Sequence, residues 1–237
     1  MNHRMVWRTL ARTLLIEAAL MVLPLCIALY HGEGWRGFVY TILLIVAAFF
    51  LLQGFKPRSS DIYAKEGFLI VALSWIILSA FGALPFVIDG AIPSYVDAFF
   101  ETVSGFTTTG ATILTDVEAV GYGLLFWRSF THWIGGMGVL VFMLAVLPLA
   151  EERSMHIMRA EVPGPVVGKL VPRVRNSAMI LYVIYLVLTL IEIVLLLLGG
   201  MPLFDAAVHA FGTAGTGGFS SRNISVAYYN SAYIDVV

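Results

Sequence analysis

The chain has 237 residues, 59% of them hydrophobic and 12% charged, with a mean hydropathy of +0.90. Soluble domains carry roughly 25% charged residues, so this composition excludes an ordinary soluble domain and points to a bilayer as solvent. A net charge of −1 argues against nucleic acid as a partner, and the single cysteine, Cys26, excludes an internal disulfide.

A membrane-crossing helix needs ~20 apolar residues, and five segments meet or approach that length. The first runs from Thr13 to Tyr30. Arg4, Arg8 and Arg12 precede it, as in a signal peptide, but its apolar run is long and no small-x-small cleavage site follows. It reads as a retained helix. The second span runs from Trp35 to Leu52, the third from Gly67 to Ile88, the fourth from Leu124 to Ala150 and the fifth from Ser177 to Leu198.

Charge placement orients these spans. With the N-terminus in the cytoplasm and each span crossing once, the inner side holds Arg4, Arg8, Arg12, Lys56, Arg58, Lys65 and the basic residues from Arg153 to Arg175. The outer side and outer helix ends hold only Arg36, Arg128 and Arg222 of the 14 basic residues. That asymmetry fits the positive-inside rule for a multi-pass protein of the plasma or inner membrane.

Two short polar stretches then fall on the outer side: Thr107-Thr108-Thr109-Gly110-Ala111-Thr112, and Gly215-Thr216-Gly217-Gly218-Phe219-Ser220. Irregular backbone facing lipid leaves unsatisfied polar groups at several kcal/mol each. Each stretch is therefore expected to be a re-entrant loop, dipping in from outside and sheltered by protein or water. The two loops belong to a repeat. Asp97-Ala98 precedes the first and Asp205-Ala206 the second, and both Asp97 to Asp205 and Gly110 to Gly218 are 108 positions apart. Both copies enter from the same side, so the repeat is parallel. Half-helices are predicted over about Tyr95 to Phe106 and Leu203 to Ala214.

This pattern suits a cation filter. Glycine permits positive φ and puts no side chain in an ion's path. Threonine adds a hydroxyl while its backbone carbonyl can turn inward, and several such loops around one axis replace a hydration shell with oxygens. The half-helices would aim their negative C-terminal ends at the ion. The expected filter residues are Thr108, Thr109, Gly110, Thr216, Gly217 and Gly218. Asp89, Asp97, Asp116 and Glu118 are outer acidic candidates for raising cation concentration at the mouth. Asp97 is also placed to cap the first half-helix.

Other residues stand out less. Glu17 and Glu192 lie within spans, where a charge costs roughly 2.5–3.5 kcal/mol on insertion scales; Glu17 is near the inner end. His132 and His209 have no partner at ligand spacing and read as packed or hydrogen-bonded groups. Gly135, Gly136 and Gly138 form a small face for close helix packing. Gly121-Tyr122-Gly123 lies outside the expected filter. No nucleophile elbow, phosphate loop or zinc motif is present, so an enzyme is not expected, and neither is a cofactor or a metal other than a transported ion.

Ser104-Gly105-Phe106-Thr107-Thr108-Thr109-Gly110-Ala111-Thr112 resembles the first pore loop of TrkH-type subunits of the Trk/Ktr/HKT potassium transporters. Trp133-Ile134-Gly135-Gly136-Met137-Gly138 is similar to the start of the helix that follows it there. Arg159-Ala160-Glu161-Val162-Pro163-Gly164-Pro165 resembles that family's cytoplasmic linker. The resemblance covers nearly the whole chain. It implies an all-α integral membrane fold of four helix–pore loop–helix units around one potassium pathway. Each unit would give a filter strand with a central glycine, here Gly110 and Gly218. Serine at the first glycine goes with sodium permeability in that family. The resemblance also implies potassium as the transported ion, pairing into a homodimer, and a TrkA-type nucleotide-binding ring as cytoplasmic partner.

Against that pattern the chain is expected to hold an N-terminal helix pair (1–66), one whole unit (67–150), a cytoplasmic linker (151–176) and a second unit cut before its outer helix (177–237). It thus reads as the N-terminal part of a potassium uptake subunit, about one and a half of four units. The alternatives are a fragment that does not transport by itself and a secondary transporter with broken helices. The latter would be expected to show inverted repeats.

Overall fold

The computed structural model describes residues 3–53, 64–138 and 170–237, and every regular element among them is helical. In chain order these are α1 (His3–Leu20), α2 (Val22–His31), α3 (Trp35–Gln53), α4 (Ala64–Gly82), α5 (Leu84–Ile88), α6 (Tyr95–Phe106), α7 (residues 122–138), α8 (Leu170–Leu198), α9 (Leu203–Ala214), a 3-10 turn (Ser225–Tyr229) and α10 (Ala232–Val236).

Four stretches are long and apolar enough to cross a membrane: His3–His31, Trp35–Leu52, Gly67–Ile88 and Ala178–Leu198. They match the first, second, third and fifth expected spans. The fourth is helical over 122–138, and its remainder lies outside the described residues, as does most of the expected linker.

Two spans depart from single helices, each near a proline. The first starts ten residues earlier than expected and breaks at Met21. Pro24 has no N–H to donate to Leu20 and its ring crowds that carbonyl, so the helix is interrupted there. The third breaks at Ala83, two residues before Pro85. The Gly82 carbonyl at that break accepts the Trp127 indole N–H at 2.9 Å.

The helix pair packs against the first unit. Helix α1 buries Val6, Leu10, Leu14 and Ala18, spaced to form one face, and lies on α3 and α4; α4 in turn packs on α6. The core gathers Phe38, Phe86, Phe106 and Trp127, all fully buried. Between helices in lipid the attraction is close packing rather than water exclusion, and α7 shows it. A β-carbon at Gly138 would press on the Trp75 ring (2.9 Å), and one at Gly136 on the Tyr185 hydroxyl (2.5 Å). The expected small-residue face is thus a contact surface for α4, α8 and the loops.

Glu17, near the inner end of its span by sequence, is enclosed by protein. It is 2% exposed, its carboxylate oxygens accept no hydrogen bond from the described residues, and it lies beside Gly82. The α1 face that carries it is covered by the first unit, which closes the route to water. Glu192 is half-buried on α8.

Candidate functional site

The two half-helices span the expected residues and have 12 residues each, with both ends 108 positions apart. Ser94 caps α6 by accepting the Asp97 N–H at 3.4 Å, while Pro202 starts α9 without a side-chain cap. Asp97 stands exposed in the first turn of α6, where its charge complements the helix dipole.

Both half-helices end the same way. The Thr108 N–H donates to Gly105 and the Thr109 N–H to Ser104; Thr216 donates to Thr213 and Gly217 to Gly212, all at 2.8–3.0 Å. This pair of bonds is a Schellman ending, whose left-handed residue is usually glycine. Here it is threonine both times, at φ 55° for Thr108 and 59° for Thr216. A β-branched residue in that region is strained by roughly 1–2 kcal/mol. Two positions on, Gly110 and Gly218 take φ 76° and 80°.

These endings sort the polar groups of the loops. The N–H groups of Thr107, Thr108, Thr109, Gly215, Thr216 and Gly217 turn back into the half-helices. The carbonyls of the same six residues, and of Gly110 and Gly218, accept no hydrogen bond among the described residues. The loops also meet. A β-carbon at Gly110 would collide with the Gly217 carbonyl oxygen. All six expected filter residues therefore fall in two adjacent strands rich in uncommitted carbonyl oxygen.

Helix α7 supports both strands from behind. Gly135 sits against the Phe106 carbonyl, with Thr108 Cγ2 at 3.1 Å from where its β-carbon would stand. Gly136 approaches the Gly215 Cα (3.2 Å by the same measure). His132 is fully buried, presses against Gly217 and stacks on Phe219 with centroids 3.9 Å apart. Its role is packing, as expected. His209 is hydrogen-bonded, to the Asp205 carbonyl through Nδ1 (2.7 Å) and the Ser220 hydroxyl through Nε2 (2.9 Å).

Above the strands the repeats are tied together. Glu101 on α6 accepts from the Thr112 hydroxyl (2.8 Å) and the Ile113 N–H (3.0 Å). Its Oε1 is 2.6 Å from Arg128 Nε, a buried pair. Arg128 also donates to the Ser220 carbonyl at 3.2 Å, and its guanidinium lies 3.5 Å from the centre of the Phe219 ring. Arg128, assigned by sequence to an outer helix end, is only 3% exposed.

The outer acidic candidates have different fates. The Asp116 carboxylate accepts the Asn223 side-chain amide at 2.9 Å. Glu118 accepts the Asn223 N–H at 3.1 Å and is 3.6 Å from Arg222. Both carboxylates thus join the two repeats. Asp89 accepts the Gly37 N–H at 3.0 Å, anchoring the start of α3; burial raises its pKa, opposed by that N–H and by the Arg36 charge. Only Asp97 of the four has no side-chain partner recorded among the described residues. It borders a cavity of about 440 Å³ with Asp116 and Ser94. Asp205, the repeat counterpart of Asp97, is buried and accepts from Ser221, Arg222 and Tyr229 at 2.6–2.8 Å. Gly121-Tyr122-Gly123 is away from the strands, with Tyr122 stacked on His31 at 4.1 Å.

Arg128, Asn223 and Tyr229 were not singled out by sequence. A readable signal existed for the first: an arginine inside an apolar span needs a buried counter-charge, and Glu101 lies on the neighbouring half-helix.

Fold and loops together define an all-helical, multi-span membrane protein of helix–re-entrant loop–helix repeats. Residues 35–237 match the TrkH family, described as a cation transport protein, and the chain belongs to that family. It is 37% identical over 241 residues to the Trk system potassium uptake protein TrkH of Salmonella typhimurium, which it matches along 100% of its own length and 50% of the relative's. The TrkH of Halomonas elongata is 38% identical, with the same coverage. The crystal structure of the potassium transporter TrkH from Vibrio parahaemolyticus superposes with a TM-score of 0.84 at 35% identity, covering 100% of this chain and 48% of that one. The chain thus spans about half the length of the relatives it matches, which are transporters and not enzymes.

Proposed function

We propose that the protein takes potassium into the cell and that Thr108-Thr109-Gly110 and Thr216-Gly217-Gly218 are two adjacent strands of its selectivity filter. The observation that carries this reading is the sorting of loop polar groups: donors spent on the half-helices, carbonyl oxygens left uncommitted, in two strands that touch. Such oxygens suit a dehydrated monovalent cation. Two strands line one side of a path, and the full circle needs others. The relatives' names supply potassium.

Domain limits follow the sequence division at 66, 150 and 176, with the N-terminus in the cytoplasm and the loops outside. Asp97 is the carboxylate best placed to attract cations at the mouth; Asp89, Asp116 and Glu118 act first as structural ties. The full-length protein pairs into a homodimer, and a TrkA-type ring docks on the basic cytoplasmic face that includes Lys169, Arg173 and Arg175. Reversing those three charges to Glu should reduce co-purification with the ring while membrane insertion stays normal.

The direct test is rubidium and sodium uptake by the full-length protein in bacterial cells lacking their own potassium uptake. Rubidium uptake that sodium competes with poorly supports the reading. Absence of rubidium uptake by correctly inserted protein overturns it.

A further inference from the structure

Arg128 stands on α7, in the first unit, yet its contacts reach both loops. Through Glu101 it holds residues 112 and 113, just beyond Gly110, and through the Ser220 carbonyl and the Phe219 ring it holds the backbone just beyond Gly218. We propose that Arg128 is a positioning residue for cation selectivity, fixing the register of the first filter strand against the second. This rests on the filter reading above.

The repeat shows why the clamp has this form. Position 101 in the first copy corresponds to 209 in the second, and each ties its half-helix to the rising strand: Glu101 to Thr112, His209 to Ser220. Each tie works within one repeat. The guanidinium adds the link between repeats, because its planar fork donates in two directions while its face rests on an aromatic ring. A lysine has one charge centre and cannot meet the three contacts together.

Charge balance fits a site behind a cation path. An unpaired guanidinium there would repel the ion, but the Glu101 carboxylate at 2.6 Å cancels it. The pair thus supplies rigidity without a net field. Breaking such a buried pair from one side leaves an uncompensated charge, so the two single variants should differ. Arg128→Gln frees the strands to slide and leaves a carboxylate; Glu101→Gln leaves a cation beside the path.

Rubidium and sodium uptake by the full-length protein in proteoliposomes tests this, alongside the thermal midpoint of each variant. Arg128→Gln should lower the rubidium-to-sodium ratio about tenfold, which corresponds to ~1.4 kcal/mol of lost discrimination. Arg128→Lys should recover part of that ratio. Glu101→Gln should lower uptake of both ions. A purely structural Arg128 would lower the midpoint and scale both ions equally; an unchanged ratio in Arg128→Gln therefore overturns the proposal. Should Arg128→Gln fail to insert, Phe219→Leu and Arg128→Lys carry the test, and wild-type ratios in both overturn it. A wild-type protein that carries no rubidium sinks the filter reading itself, whereas a selective wild type with unaltered variants sinks only the role of Arg128.

Discussion

Gly110 of the first repeat and Gly217 of the second are in backbone contact: a β-carbon at Gly110 would collide with the Gly217 carbonyl oxygen. Two segments more than a hundred residues apart thus lie side by side. Any side chain at Gly110 must displace an oxygen that the filter reading assigns to the ion.

Gly110→Ser tests that contact. At φ 76° the backbone already disfavours a side chain, and the added atoms push on the Gly217 carbonyl. Rubidium uptake should fall and sodium should compete more strongly. Equal rubidium and sodium uptake rates in mutant and wild type would remove Gly110 from the filter.

Thr108→Gly should separate stability from function. Glycine relieves the left-handed strain at the end of α6, so the thermal midpoint should rise by the equivalent of about 1 kcal/mol. Selectivity should drop, because the threonine conformation is retained at a cost in both repeats. A variant both stabler and fully selective would show that the strain has no role in the filter.

Asn223 bridges the outer loops, accepting the Val117 N–H at 2.7 Å and donating to Asp116 at 2.9 Å. Asn223→Ala removes both bonds at an exposed site and should cost about 1 kcal/mol. Hydrogen exchange at the Val117 amide should speed up while the α6 interior keeps its protection. Unchanged exchange there would mean that the loops are joined by other contacts.

Asp205 gives a pH dependence. Burial alone would raise its pKa, but hydrogen bonds from Ser221, Tyr229 and Arg222 and the Arg222 charge outweigh it, and the value lies below the ordinary 3.8. Its contribution to stability is fully present above pH 3.8 and is lost as pH falls through the depressed folded value. The thermal midpoint of the wild type should therefore fall more steeply below that pH than that of Asp205→Asn. Parallel pH profiles would assign the acid sensitivity to other carboxylates.

Thr115 is exposed in the loop after the first strand, and Ser154 lies in the basic segment outside the described residues. In a Cys26→Ala background, a membrane-impermeant thiol reagent on whole cells should label Thr115→Cys and spare Ser154→Cys. Labelling of the second would invert the topology.

Four of the five spans and the half-helix limits were legible because apolar length and the 108-residue spacing are both written in residue type. Tyr95–Phe106 and Leu203–Ala214 fall where sequence puts them. The break at Met21 was less visible, since Pro24 sits inside an unbroken apolar run and hydropathy does not register a missing N–H. The fates of the acidic residues were hidden for another reason. Asp97 and Asp205 are equivalent by repeat, yet one is exposed and the other buried in a network, and that depends on Ser221, Arg222 and Tyr229 arriving from a loop of irregular shape. Close approach of Gly110 to Gly217 is likewise a tertiary fact that no local pattern records.

The buried grip of α7 on both strands has a mechanical consequence. Gly135 and Gly136 meet the two loops near the half-helix ends, and Arg128 holds both strands two turns away along the same rod. A rod fastened at both heights cannot shear one strand past the other. If α7 tilts, Gly110 and Gly217 ride with it as one rigid plate, so a displacement begun at the far end of α7 would carry both strands together and leave the spacing between them intact.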